Sequence, residues 1–276
     1  MFKDLLLEVD DSRAVDRRID YAVELSNRFD AHLTGLYLIP IFMPPPSVGA
    51  YMTAEMESQI LAGEMERSEK ALGRFRKATE ANDIEFDSRT DRGPLHEHAR
   101  LVSMHGRYAD LTIIGQTDPS ESGGRLDPGD VVLAAGGPVV IVPHIGAPST
   151  VAEKVTLAWN ASREAARAVR DAMPLLEQAK DVEVICFQPK DTPGHGELPG
   201  ADIALHLSHH DIEVDVHIVE SDGIDVGNAL LSHIADSGSD FLVMGGYGHS
   251  RLREAVLGGA TRTILQSMTV PVLMAH

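Results

Sequence analysis

The residues best placed to do chemistry are glycines. Leu242 to Thr263 reads LVMGGYGHSRLREAVLGGATRT. An apolar run, Phe241 to Met244, stops at Gly245, and Gly248 follows with two residues between them. Gly258 and Gly259 come nine residues later and open a segment of helical periodicity. A strand that ends at glycine and passes through a second glycine into a helix start is built for an anion, phosphate above all. The glycines let the main chain approach closely, and the free amides of the helix start point at the charge. Arg251, Arg253 and Arg262 could neutralise phosphates or form a solvated cationic face, with Glu254 in pairing range. Tyr247 and His249 stand where a triphosphate would extend, but nothing in the spacing fixes a general base.

Other reactive residues carry weaker signals. His195, His206, His209, His210 and His217 are dense for their length, and His206 and His210 are four apart, a spacing that suits a metal on one helix face. No H-E-x-x-H and no cysteine accompanies them, so no metal is expected there and a surface or cleft-lining cluster is the reading. Cys186 falls in an apolar run, as an inert core thiol does. Met43, Met52, Met56 and Met65 surround Pro44-Pro45-Pro46 and suit either packing or an apolar patch for a partner. Ser122 to Gly124 and His144 to Gly146 imitate nucleotide motifs but lack the required context.

G-x-x-G, nine residues, then glycine and a small residue resembles the signature of the universal stress protein family. Met244 before the first glycine and the Val270 to Val272 strand match as well; Gly259 departs from the usual Ser or Thr, and Tyr247 replaces a frequent His. The resemblance implies a cytoplasmic adenine-nucleotide-binding regulator or stress-tolerance factor that is not a fast enzyme, with ATP or a related nucleotide, Mg²⁺ on the phosphates, and at most weak hydrolysis. It places the nucleotide on Asn160, Phe187, Met244, Gly245, Tyr247, Gly248, Gly258, Gly259 and Ala260. Asn160 stands where the family has Asp and retains an acceptor without the charge. A slow ATPase at the same site and a non-nucleotide interaction module are the alternatives.

The elements that must hold this loop occur twice. Residues 4–40 align with 154–189: Asp10 falls on Asn160, Ser12 on Ser162, Ala22 on Ala172 and Leu25 on Leu175. Gly93 falls on Gly223, Asp110 on Asp240 and Gly115 on Gly245, so the first copy has about twenty extra residues near 41–60. Within each copy, apolar runs alternate with helix-period segments. In the first, strands are expected at Leu5 to Val9, His32 to Ile39, Ile84 to Arg89, Leu111 to Ile114 and Val139 to Val142. Helices are expected from Asp11 or Ser12 to Phe29, Glu55 to Ala81 and Leu95 to His105. The second copy repeats the order, with strands near 155–159, 182–187, 213–219, 241–244 and 271–275 and helices near 162–179, 200–210, 224–236 and 260–267. Such alternation implies two tandem α/β domains, each a doubly wound, Rossmann-like parallel sheet, at 1–146 and 151–276.

The first copy keeps Asp10 but lacks the second glycine. Asp127 and Asp130 lie where its helix should start, and a carboxylate there takes the place of a phosphate. The first copy is therefore expected to serve as a built-in dimer partner. A net charge of −18 argues against general affinity for nucleic acid or anionic membrane. The single cysteine excludes an internal disulfide, and the start MFKDLLLEVDDS is too acidic for a signal peptide, so a cytoplasmic protein is expected.

Overall fold

The computed structural model describes residues 1–44, 47, 52–120, 126–146, 150–188, 200–220, 225–247 and 259–276. They form two compact units, which part between Gly136 and Gly137.

In the first unit the chain runs β1 (Asp4–Val9), α1 (Val15–Phe29), β2 (His32–Pro40), α2 (Ala54–Ala81), β3 (Phe86–Gly93), a 3-10 turn (Leu95–Glu97), α3 (His98–Gly106), β4 (Leu111–Gly115) and α4 (Pro128–Ala134). Its strands lie in the order β3-β2-β1-β4, each parallel to its neighbour. Leu5, Leu6 and Leu7 are all buried, the mark of a strand covered on both faces. Two expectations shift. No side chain caps α1, which starts at Val15 after Ala14, because Asp10 instead accepts from the Ser12 amide (2.9 Å) and bends the chain first. The third strand lies at Phe86–Gly93 rather than Ile84 to Arg89. It pairs residue by residue with β2, from Leu33 opposite Phe86 to Pro40 opposite Gly93, and an edge ladder of main-chain bonds needs no apolar side chains.

The second unit contains β5 (Val139–Val142), β6 (Lys154–Trp159), α5 (Arg163–Leu176), β7 (Asp181–Gln188), α6 (Ala201–Ser208), β8 (Asp215–Glu220), α7 (Val226–Ser237), β9 (Phe241–Gly245), α8 (Gly259–Ser267) and β10 (Val272–Ala275). The order is β5-β10-β9-β6-β7-β8. All its strands are parallel except β5, which pairs antiparallel with β10, Val140 opposite Leu273. The last strand of the first sequence repeat thus packs, fully buried, against the last strand of the second. No helix among the described residues is long and apolar enough to cross a membrane.

Strand order reverses at the same place in each unit. The chain steps from β1 through β2 to β3, then returns to the other side of β1 as β4; β6 and β9 flank the corresponding point in the second unit. Such a switch point leaves a crevice beyond the carboxyl ends of the two strands. Asp10 and Gly115 stand there in the first unit, Asn160 and Gly245 in the second.

Candidate functional site

The first switch point is filled by an arginine. Arg18 occupies a buried position of α1, one turn from Val15 and Ala22. Its guanidinium reaches Glu8 Oε2 at 2.8 Å through Nη1 and Asp10 Oδ1 at 2.7 Å through Nη2. Burial opposes ionisation of Asp10, but Arg18 and the Ser12 hydroxyl and amide outweigh it and hold the carboxyl below its ordinary range. Gly115 makes room for the guanidinium: a Cβ there would stand 2.0 Å from Arg18 Nη1. Asp127 caps α4, accepting from the Gly129 amide at 2.7 Å, and Asp130 lies in the first turn. At the end of β2, burial together with Asp11 and Glu64 pushes the Tyr37 phenol above its ordinary value. The surroundings of this end of the sheet are occupied and acidic.

The second switch point has small residues where that triad stands. Ala158 replaces Glu8, Asn160 replaces Asp10 and the buried Ala168 replaces Arg18. Asn160 is exposed, and its Oδ1 accepts from the Ser162 amide at 3.1 Å, the turn that Asp10 makes in the first unit. Ser162 caps α5 by accepting from the Ala165 amide at 3.1 Å. Two non-glycine residues at this end hold left-handed backbone, Ala161 (φ 52°) after β6 and Tyr247 (φ 57°) after β9. Left-handed backbone costs an L-residue about 1–2 kcal/mol, and such residues gather at ligand clamps. Their counterparts Asp11 and Thr117 do not share it.

Met244 is buried and Phe187 half-buried, each at the carboxyl end of its strand. Gly259 is the exposed first residue of α8 and Ala260 follows it, so the helix start expected from the motif is present. Gly248 and Gly258, with His249, Arg251, Arg253 and Glu254, lie outside the described residues. Gly245 has a reason of its own. A Cβ there would lie 2.5 Å from the Ala165 amide nitrogen and 2.7 Å from the Glu164 carbonyl carbon, so it lets α5 press onto the end of β9. Gly245→Ala is expected to destabilise the chain by about 1–3 kcal/mol in urea unfolding, because the obstacle is main chain and cannot turn aside.

A carboxylate also stands here. Glu164, in the first turn of α5, is buried. Burial raises its pKa, but the hydrogen bond from Arg163 Nε (2.5 Å), its own amide, and the charges of Arg163 and His276 bring the group below its ordinary value.

Residues 152–276 match the Universal stress protein family. This segment is a universal stress protein domain. A curated universal stress protein of Synechocystis sp. is 29% identical over 84 residues, which span 30% of this chain and only 28% of that protein. Over the whole chain the likeness is one of fold. A universal stress protein of Archaeoglobus fulgidus superposes with a TM-score of 0.77 at 18% identity, covering 99% of this chain and 95% of its own. A Pseudomonas aeruginosa protein of unknown function gives 0.59 at 12% identity, covering 99% and 92%. The universal stress protein fold therefore extends through both units, in keeping with a tandem arrangement.

The other residues singled out from the sequence separate. The His206 ring, on α6, and the His210 ring, two residues past its end, are 5.1 Å apart. His217 leaves them and meets His233 and Glu183, neither of which periodicity had marked. A charged residue inside the apolar run Val182 to Phe187 was the available signal. Cys186 is buried, which pushes its thiol up and away from reactivity. Met43, Met56 and Met65 are exposed.

Proposed function

We propose that this protein is a cytoplasmic regulator or stress-tolerance factor of the universal stress protein type that holds one adenine nucleotide, ATP or a relative with Mg²⁺, on its second unit. The observation that carries the reading is the contrast between the switch points: Glu8, Arg18 and Asp10 fill the first, while Ala158, Ala168 and Asn160 stand at the second. The nucleotide would lie between Asn160 and Phe187 on the nucleoside side and the main chain of Met244, Gly245, Tyr247, Gly248, Gly258, Gly259 and Ala260 on the phosphate side. Asn160 can offer Nδ2 as a donor, and a second lone pair on Oδ1, to a ribose hydroxyl. The amides at the start of α8 supply the positive end of a helix. Occupancy would bias an interaction surface. The first unit would act as a partner in the same chain.

A second reading, an interaction module without nucleotide, draws on Glu164. Its carboxylate stands in the first turn of α5, as Asp127 stands at the start of α4, and a fixed negative charge there disfavours a phosphate. The test is mass spectrometry of small molecules released from the undialysed protein, with calorimetric titration of ATP and magnesium. About one adenine nucleotide per chain is expected. Nucleotide at a hundred times its Kd should add about 2.7 kcal/mol of stability. About two per chain would overturn the assignment to one unit. No nucleotide and no heat, with binding restored by Asn160→Asp plus Gly259→Ser, would favour the interaction module.

A further inference from the structure

We propose that Glu183, His217 and His233 form a binding site for a divalent cation of the zinc class. They come from three elements, β7, β8 and α7, and one ligand atom from each lies within 4.8 Å of the others. His233 Nε2 is 3.0 Å from Glu183 Oε1, and His217 Nε2 is 3.6 Å from Glu183 Oε2. The two contacts use different oxygens of the carboxylate, so Glu183 faces both imidazoles at once; a tetrahedral ion with arms of about 2.0–2.1 Å needs ligand atoms roughly 3.3 Å apart, in the range of these spacings. Two imidazoles and one carboxylate is a recognised zinc set that keeps a fourth position for water. The two histidine rings lie 5.3 Å apart, tilted by 57°. Glu183 is buried at the inner end of the group, and the His217 side chain is 47% exposed, which leaves a route of entry.

The carboxylate is held in place from behind. Thr156 Oγ1 donates to Glu183 Oε1 at 2.5 Å, and Ser239 Oγ lies 3.0 Å from the same oxygen. Such outer partners fix the orientation of a ligating carboxylate.

The first unit is an internal comparison. Strand pairing places Leu6 at the position of Thr156, Thr34 at that of Glu183 and Arg89 at that of His217. Ser103 matches His233 in the repeat. The fold itself therefore does not demand this polar cluster. At the same place the first unit carries a fixed cation in place of a ligand.

The test uses the full chain without a histidine tag, stripped with a chelator and then equilibrated with Zn²⁺, or with Co²⁺ as a spectroscopic probe. Wild type is expected to retain one ion per chain, with the absorption of tetrahedral Co²⁺. His217→Ala, at a half-exposed position that the fold tolerates, should lose affinity by more than the roughly 10–100-fold that an outer partner is worth. Thr156→Val should fall within that range, and His206→Ala with His210→Ala should bind as wild type does. The proposal is overturned if wild type binds no ion, if His217→Ala binds unchanged, or if the ion is lost with His206 and His210 instead.

Discussion

Arg18→Ala is expected to destabilise the chain by about 3 kcal/mol, because it takes the cation from the buried Glu8 and the half-buried Asp10. Glu8 and Asp10 both depend on the guanidinium, at 2.8 and 2.7 Å, and the Arg18 side chain is 5% exposed. Urea unfolding at neutral pH measures the loss. The sign of its pH dependence follows from Asp10, whose folded pKa lies below the ordinary 3.8. Its contribution is present above that value and is lost as pH falls through the depressed one. The gap between wild type and Arg18→Ala should therefore narrow in acid, as the stranded carboxylates protonate. Removing all three charges, with Glu8→Ala, Asp10→Asn and Arg18→Ala as in the second unit, should restore at least about half of the loss. A single variant as stable as wild type, or a triple variant worse than the single, would refute the triad as the structural plug of this crevice.

The triad shows how much of the site was legible in the sequence. Most strands could be read, because apolar runs recur in each repeat and a strand covered on both faces needs a run of that kind; β3, FDSRTDRG at the edge, is polar and exposed, and its bounds were missed. The repeat also placed Asp10 against Asn160 and Gly115 against Gly245. It did not reveal that the two glycines serve different neighbours, a guanidinium in one unit and the main chain of α5 in the other. Nor did the pattern of α1 point to Arg18. A charged residue at a core position looks like an interruption of the apolar face until its two partners arrive from β1 and its carboxyl end. Glu183 escaped for the same reason, since its partners come from β6, β8, α7 and the turn before β9. Periodicity reports which face of an element is buried and says nothing about which distant charges meet there. The pairing of β5 with β10 was equally out of reach, because four consecutive valines and isoleucines mark a buried strand without naming its neighbour.

The reciprocal exchange should have the largest effect on binding. Installing Ala158→Glu, Asn160→Asp and Ala168→Arg in the second unit is expected to weaken adenine nucleotide by at least about a hundredfold, or about 2.8 kcal/mol, in calorimetric titration. Two causes act together. The guanidinium would occupy the crevice between β6 and β9, and the three charges sum to −1 where the wild-type residues sum to zero. An arginine alone would attract phosphate; one already neutralised by two carboxylates does not. Circular dichroism and amide exchange of β6 and β9 report whether the fold survives. Opening the first unit with the triple variant described above should not create a second site, since Asp127 still caps α4 and the second loop glycine is absent there. Unchanged affinity in the filled second unit would move the nucleotide away from this switch point. Nucleotide gained by the opened first unit would mean that the triad, and not the lost loop, is what keeps that unit empty.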